Sequence, residues 1–272
     1  MKAHDEVSPY VNVKSVVSIA GSDSSGGAGI QADLKTFMAH AVFGQSVITS
    51  VTAQNTLGVQ GVADVPPHFI ATQIDSVFQD IHPDAVKIGM LSNPEIIKVV
   101  AQKLLEHKAK HIVLDPVLVA TSGSALIQKE AIELLISELL PLAEVITPNI
   151  YEAEILSGFV IKSKDDMLKA AKQIRRTTDA VIMIKGGHLE GRADDLVLDG
   201  ERIYWLEAPR VDNENTHGTG CSLSSAIASN LARGDEVLEA IKGAKNYVYG
   251  AIEAGLDIGT KRGPLDHLYQ YR

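Results

Sequence analysis

The chain contains a single cysteine among its 272 residues. One thiol cannot form a disulfide within the chain, which excludes the disulfide-stapled folds of small secreted domains. The nine histidines show no metal-ligand spacing such as His-Glu-x-x-His, so the sequence does not predict a zinc site. Stability must therefore come from a hydrophobic core, and a chain of this length with 45% hydrophobic residues can build a large one.

Long apolar runs and an excess of positive charge are also missing. No stretch is apolar for long enough to cross a bilayer, so we expect no membrane partner. Residues 1–6 carry acidic side chains and lack the apolar segment of a signal peptide, and we therefore expect a cytoplasmic location. The net charge of -9 argues against general nucleic-acid binding, which needs a basic surface. The net charge does not exclude a nucleotide ligand, because nearby amides, a lysine and a metal ion can neutralise its phosphates.

Short β-rich runs alternate with longer helical patterns along the chain. The first predicted strand, 13–20, precedes a predicted helix over 30–41, and the last predicted helix covers 237–254. Two runs at 195–198 and 202–206 predict a hairpin at a sheet edge. The alternation favours an α/β fold of three layers, α/β/α, with a mainly parallel central sheet and helices on both faces. Because no linker, repeat or low-complexity tract interrupts it, we expect one domain over residues 1–272.

Polar and glycine-rich residues follow the predicted strands where each strand ends. They are Gly21-Ser22-Asp23, Gln54-Asn55, Gly89-Met90, Asp115-Pro116, Asn149 and Lys185-Gly186-Gly187. In open α/β sheets, ligands bind beyond the carboxyl ends of the strands. The sequence therefore predicts a ligand site at this edge of the sheet.

Each of these strand ends allows a functional and a structural interpretation. The glycine-rich loop 21–29 is neither a Walker loop nor a dinucleotide fingerprint; it either connects strand to helix or lets a small molecule approach the backbone, with Asp23 available for hydrogen bonds. Asp115 and Glu152 are candidate ligands of Mg²⁺, or else helix caps or surface charges. Lys185 suits a phosphate contact, or else is a solvated lysine at a strand end.

The segment 215–221, Asn-Thr-His-Gly-Thr-Gly-Cys, leads directly into a helix of small and apolar residues. Glycines allow close approach of a ligand, and the first amides of a helix have no internal partners, so the segment predicts an anion site. Cys221 lies on that first turn, where a thiol loses its proton readily. The segment thus offers charge stabilisation beside a candidate base, as transfer of a phosphoryl group to an alcohol requires. Structurally, the thiol could equally be a small buried hydrophobe. We expect His217 to shape the loop rather than to bind a metal.

A set of motifs in chain order resembles the hydroxymethylpyrimidine/phosphomethylpyrimidine kinases of thiamine biosynthesis, which belong to the ribokinase-like superfamily. The motifs are SIAGSDSSGGAGIQADLKTF, SVTAQNT, KIGML, VLDPV, VITPNIYEAEIL, MIKGGHLE and NTHGTGCSLSSAIA. The resemblance runs from about Val13 to the GPLDH segment near the C-terminus. It departs at Lys261-Arg262, a basic pair just before that segment, where an effect on the adenine site stays open.

The resemblance implies an ATP-dependent kinase that phosphorylates a hydroxymethyl group on a substituted pyrimidine and then phosphorylates the resulting monophosphate. The resemblance also implies a role for each residue of the cleft. The catalytic base is Cys221, and the anion hole is formed by Gly218, Thr219, Gly220 and Cys221. The nucleotide and Mg²⁺ contacts are Asn149, Glu152 and Lys185, and the pyrimidine pocket is formed by Asp23, Gln54 and Met90. The Gln54 carboxamide can donate and accept at once, which complements an aminopyrimidine edge.

Two other functions stay open. Relatives with the same Gly-Thr-Gly-Cys element phosphorylate pyridoxal or pyridoxine, and some act on both kinds of ring, so vitamin B6 salvage is the alternative activity. A non-catalytic regulator that binds a nucleotide or vitamin on the same fold is disfavoured, because the base, the anion hole and the Mg²⁺ element are all present. The expected ligands are ATP, Mg²⁺ and a small pyrimidine- or pyridoxal-type molecule, and we expect a homo-oligomer, a dimer.

Overall fold

The computed structural model describes residues 13–118, 129–187, 194–209, 211–213 and 215–272. Within these ranges nine strands form one sheet, in the order β3-β2-β1-β4-β5-β6-β7-β8-β9. The strands are β1 (Ser15–Asp23), β2 (Phe43–Asn55), β3 (Gly58–Asp64), β4 (Ala85–Ile88), β5 (Ile112–Leu114), β6 (Val145–Ile146), β7 (Val181–Ile184), β8 (Asp195–Asp199) and β9 (Arg202–Leu206). The six strands from β2 to β7, in sheet order, pair in parallel.

Helices cover both faces of this sheet. They are α1 (Gly29–Ala39), α2 (Pro67–Asp80), α3 (Pro94–Glu106), α4 (Lys129–Leu134), α5 (Ile150–Ser157), α6 (Lys164–Ile174), α7 (Thr219–Ala232) and α8 (Val237–Ala254). One apolar core joins α2 through α6 to one face, and a second joins α1, α7 and α8 to the other. The three-layer α/β/α architecture expected from the sequence is confirmed. Among the described residues, each helix is too short or too polar to span a bilayer.

Three strands run antiparallel to their neighbours. β7 pairs with β8 and β8 with β9, which confirms the hairpin expected at a sheet edge. At the opposite edge, β3 pairs antiparallel with β2 and was not expected. Most of its side chains are exposed, so no buried apolar run marks it in the sequence. The sequence also predicts one helix over 130–140, whereas in the structure α4 ends at Leu134 and passes into a π-helical turn at Leu135–Leu139.

Helix caps place the ends of the elements as the local sequence indicates. Asn93 caps α3 by accepting a hydrogen bond from the Ile96 amide, and Pro94 occupies the first helical position. Asn149 begins α5 in a capping box, in which its side chain and that of Glu152 each accept a backbone N–H of the other. Two of the predicted nucleotide contacts therefore also build a helix start.

A fully buried ion pair crosses the layer between the sheet and α1, α7 and α8. The Lys87 ammonium on β4 lies 2.9 and 2.8 Å from the two carboxylate oxygens of Asp33 on α1. Ser18 on β1 and Ser225 on α7 donate their hydroxyls to the same carboxylate. Burial opposes the lysine charge, but the Asp33 carboxylate holds the pKa of Lys87 above its ordinary value. The pair therefore joins four elements through one carboxylate.

Replacing one member of this pair should be costly. We expect Lys87→Met to lower the free energy of unfolding by about 3–5 kcal/mol, because it leaves the Asp33 charge buried and uncompensated. The double variant Lys87→Met/Asp33→Asn should lose less than Lys87→Met alone. Urea denaturation followed by circular dichroism measures both. The variant Lys103→Met is the control, and its loss should be much smaller because solvent screens the Lys103–Asp75 pair. Equal losses for Lys87→Met and Lys103→Met would contradict the role of the buried pair.

Candidate active site

A cleft of about 1030 Å³ opens beyond the carboxyl ends of the parallel strands. The structure brings every site residue expected from the sequence to its walls, namely Asp23, Gln54, Met90, Asp115, Asn149, Glu152, Lys185, Gly218, Thr219, Gly220 and Cys221. These residues span almost 200 positions in the sequence, and they meet because successive parallel strands deliver their ends to one edge. Arg262, of the basic pair that departs from the family pattern, also lines the cleft.

The start of α7 forms one wall of the cleft. Gly218 precedes it with a left-handed backbone (φ +85°), and a Cβ at this position would overlap the carbonyl oxygen of Gly27. A glycine is therefore required both for the turn and for the close approach of the first glycine-rich loop. Gly220 lies over the Asp115–Lys185 pair, where an added Cβ would come within 3.2 and 3.3 Å of the side-chain oxygen and nitrogen. The start of α7, where the first helix amides have no intrahelical acceptors, thus lies beside this charged pair.

Cys221 lies half-buried where the starts of two helices converge. Its sulfur accepts a hydrogen bond from the Gly29 amide at the start of α1, and the positive charge of Lys87 also favours the thiolate. Burial outweighs both effects and raises the pKa of the Cys221 thiol to about 11, with Asp33 and Asp115 adding to the increase. The expectation that the helix start lowers the pKa of this thiol is therefore wrong. At neutral pH the thiol of the free protein keeps its proton.

The raised thiol pKa predicts how Cys221 reacts with an alkylating reagent. Only the thiolate reacts, so we expect the rate with iodoacetamide to be low near neutral pH and to rise about tenfold per pH unit toward pH 10. Mass spectrometry can follow the reaction without ambiguity, because Cys221 is the single cysteine. Glutathione, as a control, should level off near an ordinary thiol pKa of about 8.5. A plateau for the protein below about pH 9 would contradict the burial argument.

Asp23 proves to be an organiser of the loop that follows β1. One carboxylate oxygen accepts from the amide and hydroxyl of Ser25, and the other accepts from the amides of Gly27 and Ala28 and from the His217 imidazole. Although burial opposes ionisation, the hydrogen bonds from His217 and Ser25 lower the pKa of Asp23 to about 2. Hydrogen bonds from within the protein thus occupy both oxygens of the Asp23 carboxylate. The expectation that the carboxylate is available to a ligand therefore does not hold.

Gln54 and Met90 lie on the same side of the cleft as Asp23. Gln54 is half-buried on β2, with its carboxamide between Thr52 and His217. The carbonyl of Met90, just after β4, accepts a hydrogen bond from the Thr49 hydroxyl on β2. The two residues thus line the cleft at the ends of β2 and β4, the strands that flank β1 on either side. His217 is buried and joins the first glycine-rich loop to α7, as its expected shaping role requires.

Asp115, Lys185 and Glu152 form a charged cluster at the other end of the cleft. The Lys185 ammonium lies 2.9 Å from an Asp115 oxygen, which also accepts from the Thr147 hydroxyl at 3.2 Å. Burial, with the nearby Asp115 charge, raises the pKa of Glu152 to about 7, although Lys185 attracts its charge. Burial also disfavours the charge on Lys185, but Asp115 and Glu152 together keep its pKa above the ordinary value.

These carboxylates fit a divalent cation better than a site built only for an ion pair. Asp115 and Glu152 repel one another, and the resulting rise in the pKa of Glu152 is the effect that a bound cation reverses. Oxygen ligands are those that Mg²⁺ prefers, with water and phosphate completing the shell. Within the described ranges, no three His, Cys, Asp or Glu side chains come together as a metal site.

The raised pKa of Glu152 also affects stability. Folded Glu152 binds its proton more tightly than the unfolded chain does, so the free energy of unfolding should fall as pH rises from about 4.5 toward 7. Glu152→Gln removes this penalty but keeps an oxygen for the capping box. We therefore expect the variant to gain Tm relative to the parent chain as pH rises from about 5 to about 8.

The control for this measurement is Glu154→Gln on the same helix, where the side chain accepts from the Ile161 amide. Thermal unfolding of the three proteins across the pH range, without added Mg²⁺, gives the comparison. A difference between Glu152→Gln and the parent chain that stays constant with pH would show that burial and Asp115 do not control this carboxyl.

Four charged residues that line the cleft were missed in the sequence, namely Lys87, Asp195, Asp212 and Lys245. Lys245 on α8 binds Asp195, which in turn accepts the Gly186 amide at 2.8 Å. A lysine on an amphipathic helix looks like an ordinary surface residue, so no sequence signal marks it. Lys87 also lines the cleft. The sequence does indicate a special role for Lys87, because a charge within the buried run Ala-Val-Lys-Ile needs a buried partner.

The fold and this cleft define an ATP-dependent phosphotransferase of the ribokinase-like fold. Its helix-start anion site, lysine and carboxylates lie at one edge of a mainly parallel sheet. The chain belongs to the phosphomethylpyrimidine kinase family, whose model matches residues 23–266.

The names of similar proteins support this assignment. The hydroxymethylpyrimidine/phosphomethylpyrimidine kinase of Rhizobium meliloti is 50% identical over 94% of this chain and 97% of its own length. The phosphomethylpyrimidine kinase structure from Clostridium difficile has a TM-score of 0.79 at 46% identity and covers 88% of this chain and 99% of that one. An ADP complex of Bacillus subtilis pyridoxal kinase has a TM-score of 0.88 at 38% identity and covers 96% of this chain and 99% of that one.

Proposed function

We propose that this protein transfers the γ-phosphoryl group of ATP to the hydroxymethyl group of 4-amino-5-hydroxymethyl-2-methylpyrimidine, and then to the monophosphate to form the diphosphate, in thiamine biosynthesis. The observation that carries the proposal is that a glycine-rich helix start, which suits an anion, and a carboxamide, Gln54, line the same cleft. The 50% identity to the Rhizobium meliloti kinase, over nearly the full length of both chains, supports the same activity.

The chain's own residues have distinct parts in this reaction. Gln54 and Met90 hold the pyrimidine ring, and the amides of Thr219, Gly220 and Cys221 stabilise the negative charge of the transferred group. The Lys185 ammonium exchanges its contact with Asp115 for a contact with phosphate, because a buried ammonium binds an anionic ligand within reach favourably. Asn149 and Glu152 keep the start of α5 at the nucleotide side. Asp23 holds the loop 24–28 in place.

Cys221 acts as the proton acceptor for the attacking hydroxyl in this proposal. Because burial holds the thiol protonated in the free protein, the base form must be reached within the substrate complex, with Lys87 and the Gly29 amide stabilising the thiolate. In phosphoryl transfer, positioning and charge stabilisation contribute more than proton removal. We therefore assign most of the rate enhancement to the helix-start amides.

Asp115 and Glu152 would hold Mg²⁺ beside the phosphates. The cation supplies charge neutralisation for the phosphate oxygens. ATP as donor agrees with the ADP complex of the Bacillus subtilis neighbour. Glu152 gains most from the cation, because its charge is the one that burial and Asp115 disfavour.

Phosphorylation of pyridoxal or pyridoxine is the second candidate function. The specific observation in its favour is the TM-score of 0.88 to the Bacillus subtilis pyridoxal kinase, against 0.79 to the Clostridium difficile phosphomethylpyrimidine kinase. Sequence identity points the other way, at 38% to the pyridoxal kinase and 46% to the phosphomethylpyrimidine kinase. We also propose a single domain over residues 1–272, a homodimer and a cytoplasmic location.

A coupled assay with three acceptors tests the main proposal. The aminopyrimidine alcohol, its monophosphate and pyridoxal are compared at equal concentrations with ATP and Mg²⁺. We expect turnover of the first two, and a loss of roughly 10²–10⁴-fold in kcat for Cys221→Ala with little change in the KM for ATP, as for a positioned base.

Ser222→Ala is the matched control, because it truncates the neighbouring side chain on α7, which bonds His267 away from the cleft. Turnover of pyridoxal alone would replace the main proposal with the vitamin B6 alternative. Near-normal turnover by Cys221→Ala would leave the residue with only its amide in the reaction.

A further inference from the structure

A chain of hydrogen-bonding groups runs along the wall of the cleft behind Gln54. The His217 imidazole Nε2 lies 2.9 Å from Asp23 Oδ2 and 3.4 Å from the Gln54 carboxamide nitrogen. The Thr52 hydroxyl lies 2.8 Å from the Ser22 carbonyl oxygen and 3.2 Å from the Gln54 carboxamide oxygen. Gln54 is thus held on one side by an imidazole and on the other by a hydroxyl.

The proton positions in this chain follow from the acceptors at its two ends. Asp23 is ionised and can only accept, so His217 Nε2 must carry a hydrogen and donate it. The Ser22 carbonyl can also only accept, so the Thr52 hydroxyl donates its single hydrogen there. His217 Nε2 and the Thr52 hydroxyl are therefore both hydrogen-bond donors, to Asp23 and to Ser22 respectively, whether or not Nδ1 of His217 carries a proton.

These roles conflict with a Gln54 amide whose nitrogen faces His217. Two N–H groups would then face one another, and the Thr52 hydroxyl would need a second hydrogen for the Gln54 oxygen. A rotation of the carboxamide by 180° removes the contact between two N–H groups and the demand for a second Thr52 hydrogen. The carboxamide oxygen then shares the single His217 Nε2 hydrogen with Asp23 in a three-centre bond, in which the 2.9 Å contact to Asp23 is the shorter branch and the 3.4 Å contact to Gln54 the longer one. The carboxamide nitrogen donates to a free lone pair of the Thr52 hydroxyl. Carboxamide oxygen and nitrogen are distinguished by this kind of network.

We propose that His217, backed by Asp23 and assisted by Thr52, is a specificity-determining positioning residue that fixes the Gln54 carboxamide with its oxygen toward His217 and its nitrogen toward Thr52. The imidazole cannot move away easily, because it is buried and Gly27 packs against it so closely that a Cβ there would lie 2.5 Å from Cδ2. This inference rests on the proposed function and deepens it.

The fixed orientation selects one order of donor and acceptor on the substrate ring. A 4-aminopyrimidine presents an amino N–H beside a ring nitrogen that accepts, which matches one oxygen and one N–H of the amide. The 4-oxo analogue presents a carbonyl and a ring N–H in the opposite order. A freely rotating carboxamide would accept either ring, whereas a fixed one rejects the analogue because buried polar groups then lack partners.

The test compares the two rings as ligands of the parent chain and of two variants. The probes are 4-amino-5-hydroxymethyl-2-methylpyrimidine, by its KM and kcat, and its 4-oxo analogue, by its inhibition constant against the first. We expect His217→Phe to reduce the preference for the amino ring by roughly tenfold or more, mainly through KM, since one fixed hydrogen bond is lost. Thr52→Val should shift the preference in the same direction.

A double-variant cycle separates positioning from a structural role. Since His217 acts through Gln54, we expect His217→Phe to change the preference by less than about twofold once Gln54→Leu is present. His217→Gln, which restores an N–H donor, should recover part of the preference. Thr36→Val, which removes a buried helix hydroxyl bonded to Ala32, is the control and should leave the preference unchanged.

The outcomes are distinguishable. An unchanged preference in both His217→Phe and Thr52→Val, or full additivity with Gln54→Leu, would overturn the positioning role of His217. If His217→Phe does not fold, Thr52→Val alone decides, because its hydroxyl holds the other side of the same amide. If the parent chain does not phosphorylate the aminopyrimidine at all, the proposed function fails instead.

Discussion

The arrangement of the whole cleft depends on one buried carboxylate, that of Asp33. It binds the Lys87 ammonium and the hydroxyls of Ser18 and Ser225, and so joins α1, β4, β1 and α7. A buried charge is tolerable only while its partners stay in place, so these elements cannot shift independently. Ser225 lies one turn beyond Cys221, and the contact therefore fixes the anion-binding start of α7 against the strands that carry the other site residues.

The cleft of the free protein holds groups whose charge states suit anionic and cationic ligands. Burial keeps the Cys221 thiol protonated and brings the pKa of Glu152 to about 7, while Lys185 is paired with Asp115. These protonation states and this ion pair arise because ionisable groups lie close together in a partly buried cleft, where a charge is poorly solvated. In the proposed reaction, phosphates and Mg²⁺ would meet the same groups with charges of the required sign.

The choice between a pyrimidine and a pyridine ring depends on a few side chains rather than on the fold. Kinases named for each kind of ring share this architecture at TM-scores of 0.79 and 0.88. The helix start and the charged cluster address phosphate chemistry that is common to both. In the proposed function, the ring would meet the wall formed by Gln54, Thr52 and His217, which are joined by hydrogen-bonding contacts. Discrimination would then follow from the order of donors and acceptors on that wall.

Local sequence determined much of this protein. Strand–helix alternation indicated the layered fold, the runs at 195–198 and 202–206 indicated the edge hairpin, and polar residues at strand ends indicated the cleft. These features could be predicted because periodicity, turn residues and caps act between neighbours in sequence. The cleft residues assembled as expected because parallel strands end at one edge.

Tertiary structure alone decided the states of those residues. The exposed strand β3 forms because β2 offers an edge to pair with, and no apolar pattern announces it. Asp23 became a loop organiser through a bond to His217, which lies 194 positions away in the sequence. The pKa of Cys221 rises because burial and distant carboxylates outweigh the helix start. Hydrogen-bond partners and electrostatic surroundings are set by groups far apart in the chain, which meet only when the sheet and its helices are packed.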